Sequence, residues 1–173
     1  MSKQLELNSV LRFGITYEQV AAFDILCLPE NLDTVLNADE LYDASDTITL
    51  SKLLKAQGIK CANSYDLNLS AQIFERRSAE KWFGTVYIRN NVVIPVFVGV
   101  LSTLIATEIS EIKNTDEPVP KVHIELKLEK PNNLTTLKYD GDSATLITIL
   151  KSIEHSPTES HQKHVKHKNH KHK

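Results

Sequence analysis

Residues 121–130 alternate without a break. Val122, Ile124, Leu126 and Leu128 fall on one side of an extended chain, and His123, Glu125, Lys127 and Glu129 fall on the other. Successive side chains of a strand point to opposite faces, so this segment is a half-buried strand by period. A chain that holds it must cover one face with another layer. Pro131-Asn132-Asn133 then makes a turn and Leu134 to Tyr139 returns as the partner, which predicts an antiparallel hairpin. Asp140-Gly141-Asp142 turns again. Asp142 or Ser143 caps a final helix to about Ile153, with Leu146, Ile149, Leu150 and Ile153 inward.

The segments before the hairpin mix both periods. Ser9 to Ile15 reads as a short strand. Thr16 and Gln19 have capping-box spacing, and Val20, Phe23 and Leu26-Cys27 extend a helix to about Leu28, where Pro29 stops it. Leu32, Val35 and Leu36 suggest one short helix in an acidic, broken stretch. Thr47 or Thr49 would cap a helix carrying Leu50, Leu53 and Leu54, with Gly58 just past its end, and Ile59 to Ala62 reads as a strand. Ser70 to Trp82 reads as a charged helix ended by Gly84, and Thr85 to Ile88 is β-rich. Helices and strands without regular βαβ alternation, together with a late hairpin, predict an α+β fold. Its parts are a small mixed domain over residues 1–155 with a central apolar helix and a C-terminal helix, then a disordered His/Lys-rich tail over 156–173.

Composition narrows the functional classes. The 173 residues suit one ordinary domain, and 41% apolar with 24% charged residues is globular usage. Two cysteines, Cys27 and Cys61, with no CxxC pair argue against a zinc ribbon, a disulfide scaffold and a thioredoxin-type site. The first residues lack a basic flank and an apolar run, so a cytoplasmic, reducing location is expected. The formal charge of −2 hides a division: residues 161–173 hold five lysines and no acid, which leaves about −7 on residues 1–160. An acidic body is a poor general ligand for nucleic acid, whereas the tail could serve as a polyanion-binding arm.

Asn90 to Thr107 contains no charge over 18 residues, the lower limit for a spanning helix. Pro95 and Gly99 interrupt it, and Ser102 and Thr103 dilute it. A central buried helix over 92–106 is expected, and a membrane-associated segment is the alternative.

Candidate chemistry is sparse. Asp116 with Glu125 and Lys127 has the outline of a metal-dependent nuclease, in which two carboxylates hold a cation and a lysine stands by the attacking water. A solvated strand face gives the same string. Arg76 and Arg77 could clamp a phosphate or a carboxylate, with Tyr65-Asp66 completing a site; a solvated helix face explains them as well. Trp82, the only tryptophan, reads as a core anchor, and Cys27 as a buried thiol. Glycine-rich phosphate loops, GxSxG and HExxH are absent from the sequence. In the tail, Lys163, Lys166, Lys168 and Lys171 are candidate anion contacts. His161, His164, His167 and His170 are weak metal candidates, because the interleaved lysines repel a cation. No cofactor is expected. The sequence therefore favours a non-enzymatic accessory or regulatory protein that binds another macromolecule, most simply another protein.

Overall fold

A computed structural model describes residues 8–76, 79–112 and 121–155, with side chains placed up to residue 106 in the second of these segments. The first described element is helix α1 (Asn8–Leu11), where the sequence predicts a strand. Gly14 at φ +85° turns it, so that Val10 and Ile15 both become buried anchors over the sheet. Helix α2 (Tyr17–Ala21) starts on the expected capping box: Thr16 Oγ1 accepts from the Gln19 N–H, and Gln19 Oε1 accepts from the Thr16 N–H. This helix stops at Ala21. Strand β1 (Ile25–Leu28) follows, all four residues buried. A strand covered on both faces shows an unbroken apolar run, which by period alone does not differ from the end of a buried helix.

The expected helix around Leu32 is a series of turns, with Leu32 buried and Leu36 86% exposed. Strand β2 (Tyr42–Ala44) leads directly into helix α3 (Ser45–Ala56). Ala44 occupies the N-cap, so neither Thr47 nor Thr49 caps it. The C-terminus does end as read. The Gly58 N–H donates to the Lys55 carbonyl and the Ile59 N–H to the Leu54 carbonyl, a Schellman motif with Gly58 at φ +80°.

Strand β3 (Cys61–Ala62) and strand β4 (Gln72–Phe74) come next, then strand β5 (Lys81–Ile88). The expected charged helix over 70–82 does not exist. Its charges have distant partners instead of helical neighbours: Arg76 pairs with Glu30, Lys81 with Asp46, and Glu80 with His123. Helix α4 (Ile94–Ile112) carries Pro95 in its first turn, where proline costs least. Phe97, Val98, Leu101 and Ile105 form its buried face, as expected of a core helix. No helix of the described residues is long and apolar enough to cross a membrane. Strands β6 (Lys121–Glu129) and β7 (Leu134–Asp142) form the predicted hairpin, and Asp142 caps helix α5 (Ser143–Glu154) through the Thr145 N–H.

The architecture is α+β. Five strands run in the order β3-β1-β5-β6-β7; β1/β3 and β5/β6 are parallel, while β1/β5 and β6/β7 are antiparallel. One face carries Ile25, Val86, Ile124 and Leu126 against apolar residues of α3, α4 and α5. On the other face, Leu26, Leu28 and Tyr87 are covered by the N-terminal segment and by Leu41, Leu67 and Leu69. That second cover lies over the β3-β1-β5 half, with Leu134 at the start of β7 packed against it. The polar face of β6 lies beyond it, and the candidate site sits there. Strands β2 and β4 form a separate two-stranded parallel sheet.

Candidate functional site

A register break in β5 builds the site. Trp82 pairs with His123 and Thr85 with Glu125, so three residue steps on β5 match two on β6. The extra residue is taken up at Phe83-Gly84. Gly84 has φ +60°, and a Cβ there would lie 3.1 Å from the Leu28 carbonyl oxygen. Only glycine fits this bulge without strain. The bulge lets Phe83 enter the core while Trp82 joins His123 on the polar face.

Trp82 and His123 stack with ring centroids 3.7 Å apart and planes 14° from parallel. The Arg76 guanidinium lies 3.9 Å from the Trp82 ring centroid and 5.0 Å from that of Phe74. Arg76 also forks onto Glu30, at 2.9 and 2.7 Å. His123 Nδ1 is 2.6 Å from Asp140 and its Nε2 is 3.0 Å from Glu80. Both contacts are hydrogen bonds at once only when the ring carries two N–H groups, since each ionised carboxylate only accepts. Asp46 accepts from the Trp82 main-chain N–H at 2.9 Å and pairs with Lys81 at 3.3 Å. The Trp82 Nε1 is buried, with no hydrogen-bond partner among the described residues.

Beside this stack is a cleft of about 270 Å³ walled by Glu30, Trp82, Thr85, Glu125, Lys138 and Asp140. Ordinary small-molecule sites measure roughly 300–1,000 Å³, so this cleft suits a side chain better than a cofactor. Among the described residues no cluster of three or more His, Cys, Asp and Glu side chains is arranged to hold a metal ion.

The residues singled out in the sequence are scattered by the structure. Arg76 belongs to the stack; Arg77 lies outside the described residues. Glu125 and Lys127 share the polar face as expected, with Lys127 Nζ 3.8 Å from Glu125 and 3.9 Å from Asp33. Asp116 lies outside the described residues, as do His161, Lys163, His164, Lys166, His167, Lys168, His170 and Lys171. Tyr65 and Asp66 do not join Arg76: Tyr65 is exposed, while Asp66 pairs with Lys55 at 2.5 Å and accepts from the Asn63 N–H. Cys27 lies in β1, not in a helix, with its sulfur 3.7 Å from that of Cys61. The contact with Cys61, then burial, push the Cys27 thiol up, away from the reactive thiolate. Cys27 faces the helices and His123 the opposite side of the sheet, so the histidine is not placed to activate the thiol. Sequence reasoning missed Glu30, Asp46, Glu80 and Asp140. It also read Trp82 as a core anchor, although Gly84 inside a β-rich run is a bulge signal.

No protein-family model matches the chain, and comparison with curated proteins and with solved structures gives no match either.

Proposed function

We propose that this is a non-enzymatic accessory or regulatory protein that binds another protein through the rim of the Trp82 site. The observation that supports this reading is an apolar pair beside a pre-ordered polar cluster. Ile73 and Phe74, on the short strand β4, are 58% and 51% exposed, and Phe74 lies under the Arg76 guanidinium. An exposed aromatic ring beside a half-buried arginine, rimmed by charges already held in place, is the kind of group that anchors a protein interface. The charged groups of the stack are engaged with each other. An anion clamped by Arg76 would have to displace Glu30, which weakens a phosphate-binding reading of that arginine.

The test is site-specific photo-crosslinking in cells, with the reactive residue at position 73 or at Thr148, which is exposed on α5 on the helix side of the sheet. A discrete protein adduct from position 73, absent from 148 and lost with Phe74→Ser, is the expected result. Equal labelling from both positions, or no adduct from 73, would overturn the assignment.

A further inference from the structure

Strand β7 is the outer strand of the main sheet, nine residues long, paired continuously with β6 through nine register positions. It contains no proline, and its centre, Thr136 to Asp140, alternates exposed and half-buried side chains. Natural edges of this length are short, bulged or covered unless another strand pairs with them.

The direction of the unused backbone groups follows from the turn. The Lys130 N–H donates to the Asn133 carbonyl at 2.8 Å, so 130/133 is a bonded pair. Antiparallel ladders alternate bonded and non-bonded pairs. Counting along the register, Thr135, Leu137, Tyr139 and Gly141 exchange bonds with β6. The N–H and C=O groups of Thr136, Lys138, Asp140 and Asp142 therefore point outward. The Tyr139 hydroxyl donates to the Asp142 carbonyl, which takes that one out of use. Thr136, Lys138 and Asp140 remain as an open row of donors and acceptors among the described residues.

We infer that this edge pairs with β7 of a second copy of the chain, antiparallel, with the twofold axis at Tyr139. The sequence around the axis selects this register. An axis at Lys138 sets lysine against lysine, one at Asp140 sets aspartate against aspartate, and one at Leu137 sets Asp140 against Leu134. With the axis at Tyr139, Lys138 opposes Asp140 of the second copy, twice, and both residues belong to the outward-bonding set. The charge pattern inside each subunit continues across the junction. Lys138 already lies opposite Glu125, and Asp140 already holds His123 at 2.6 Å. The row on the polar face becomes Glu125, Lys138, then Asp140 and His123 of the second copy, so that the lysine stands between two carboxylates. Opposite charges on facing strands stabilise a pair and like charges oppose it, so one register is favoured and its neighbours are not.

The test is the oligomeric state of the full chain by sedimentation over a range of concentrations, for the native sequence and for Lys138→Pro. Proline at 138 removes an outward N–H and no bond to β6, so the hairpin survives. The native chain is expected to dimerise with rising concentration and the variant to stay monomeric, with unchanged circular dichroism. Should Lys138→Pro fail to fold, Lys138→Glu on the exposed side chain serves instead; it is expected to weaken the dimer at low salt and to regain it as salt screens the repulsion. The register is read from Tyr139→Cys and Leu137→Cys under mild oxidation. Cysteines at 139 would face each other about 4.5–5.5 Å apart between Cα atoms, within disulfide range. Those at 137 would be about 13 Å apart, four residues along the strand direction. A chain that is monomeric at every concentration, a dimer indifferent to Lys138→Pro and Lys138→Glu, or cross-linking through 137 instead of 139 would overturn the inference. None of these outcomes depends on the adduct at Ile73.

Discussion

His123 lies flat on Trp82, with ring centroids 3.7 Å apart, and its two nitrogens reach carboxylates from opposite sides: Asp140 on β7 and Glu80 before β5. The ring therefore ties three strands' ends together while its face shields the indole. His123→Phe keeps a ring on Trp82 and removes both ring nitrogens. Two half-exposed carboxylates then lose their partner to water, and the expected cost is about 0.5–1.5 kcal/mol of unfolding free energy. Trp82 is the only tryptophan, so its emission reports the stack directly. Urea unfolding followed by tryptophan emission checks this; a loss under about 0.5 kcal/mol would show that the contacts carry no stability.

Asp43, buried on β2, accepts a hydrogen bond from Ser64 Oγ at 2.8 Å. Burial pushes its carboxyl up from the usual 3.8, and the Ser64 bond opposes this in part. With the folded value above the unfolded one, the folded state binds the proton more tightly. This group's contribution is favourable below about pH 3.8 and is lost as pH rises through its raised folded value. Asp43→Asn keeps an acceptor for Ser64 and removes the charge. Its stability at pH 7 is expected to exceed that of the native chain, with the advantage vanishing toward pH 3. A variant less stable at pH 7 would contradict this.

Leu101, fully buried on α4, and Ile124, buried on the inner face of β6, test the core. Leu101→Ala is expected to cost about 2–5 kcal/mol. Ile124→Asp is expected to abolish the folded state, because it buries an unpaired charge. Its neighbour Glu125 faces the cleft and touches Lys127 at 3.8 Å, so Glu125→Ala should change stability by less than about 1 kcal/mol. Thermal unfolding of the three variants would show equal damage from Ile124→Asp and Glu125→Ala only if the strand's burial were reversed.

The His/Lys segment gives a prediction from sequence alone. Five lysines over 161–173 should bind single-stranded RNA or heparin with a log–log salt slope of about −3.5. Its five histidines should strengthen that binding as pH falls from about 7.5 to 5.5, across the ordinary histidine range near 6.5. Truncation after residue 160 should remove the binding and leave the thermal midpoint unchanged. Binding that survives truncation would place the anion contact elsewhere.

Where one face of an element meets water, its period was readable. The alternation of β6, the amphipathic α5, the Thr16–Gln19 box and the glycine after α3 all appear as the residues predict. Where both faces are covered, period vanishes, and Ile25–Leu28 reads as the end of a helix. Residues 70–82 failed for a different reason. Their charges look like a solvated helix face, yet Arg76, Glu80 and Lys81 are held by Glu30, His123 and Asp46, none of them within 30 residues in sequence. The site gathers side chains from five separate segments, and no local pattern encodes such a meeting. Arg76 was found for its phosphate-clamp chemistry, while its actual partner is a carboxylate.

The order of strands also sets an order in time. Glu129 pairs with Leu134 across a short turn, whereas Ile25 pairs with Ile88 about 60 residues away. Loop-closure entropy makes the second contact costlier by roughly 2 kcal/mol, growing as the logarithm of the loop length. The β6–β7–α5 unit is thus expected to form early and β1 to arrive late. Arg76 settles over Trp82 only when Glu30, just beyond β1, is in place to receive its fork. Intrinsic fluorescence would therefore follow the closing of the sheet, and mutations near Glu30 should speed unfolding far more than they slow folding.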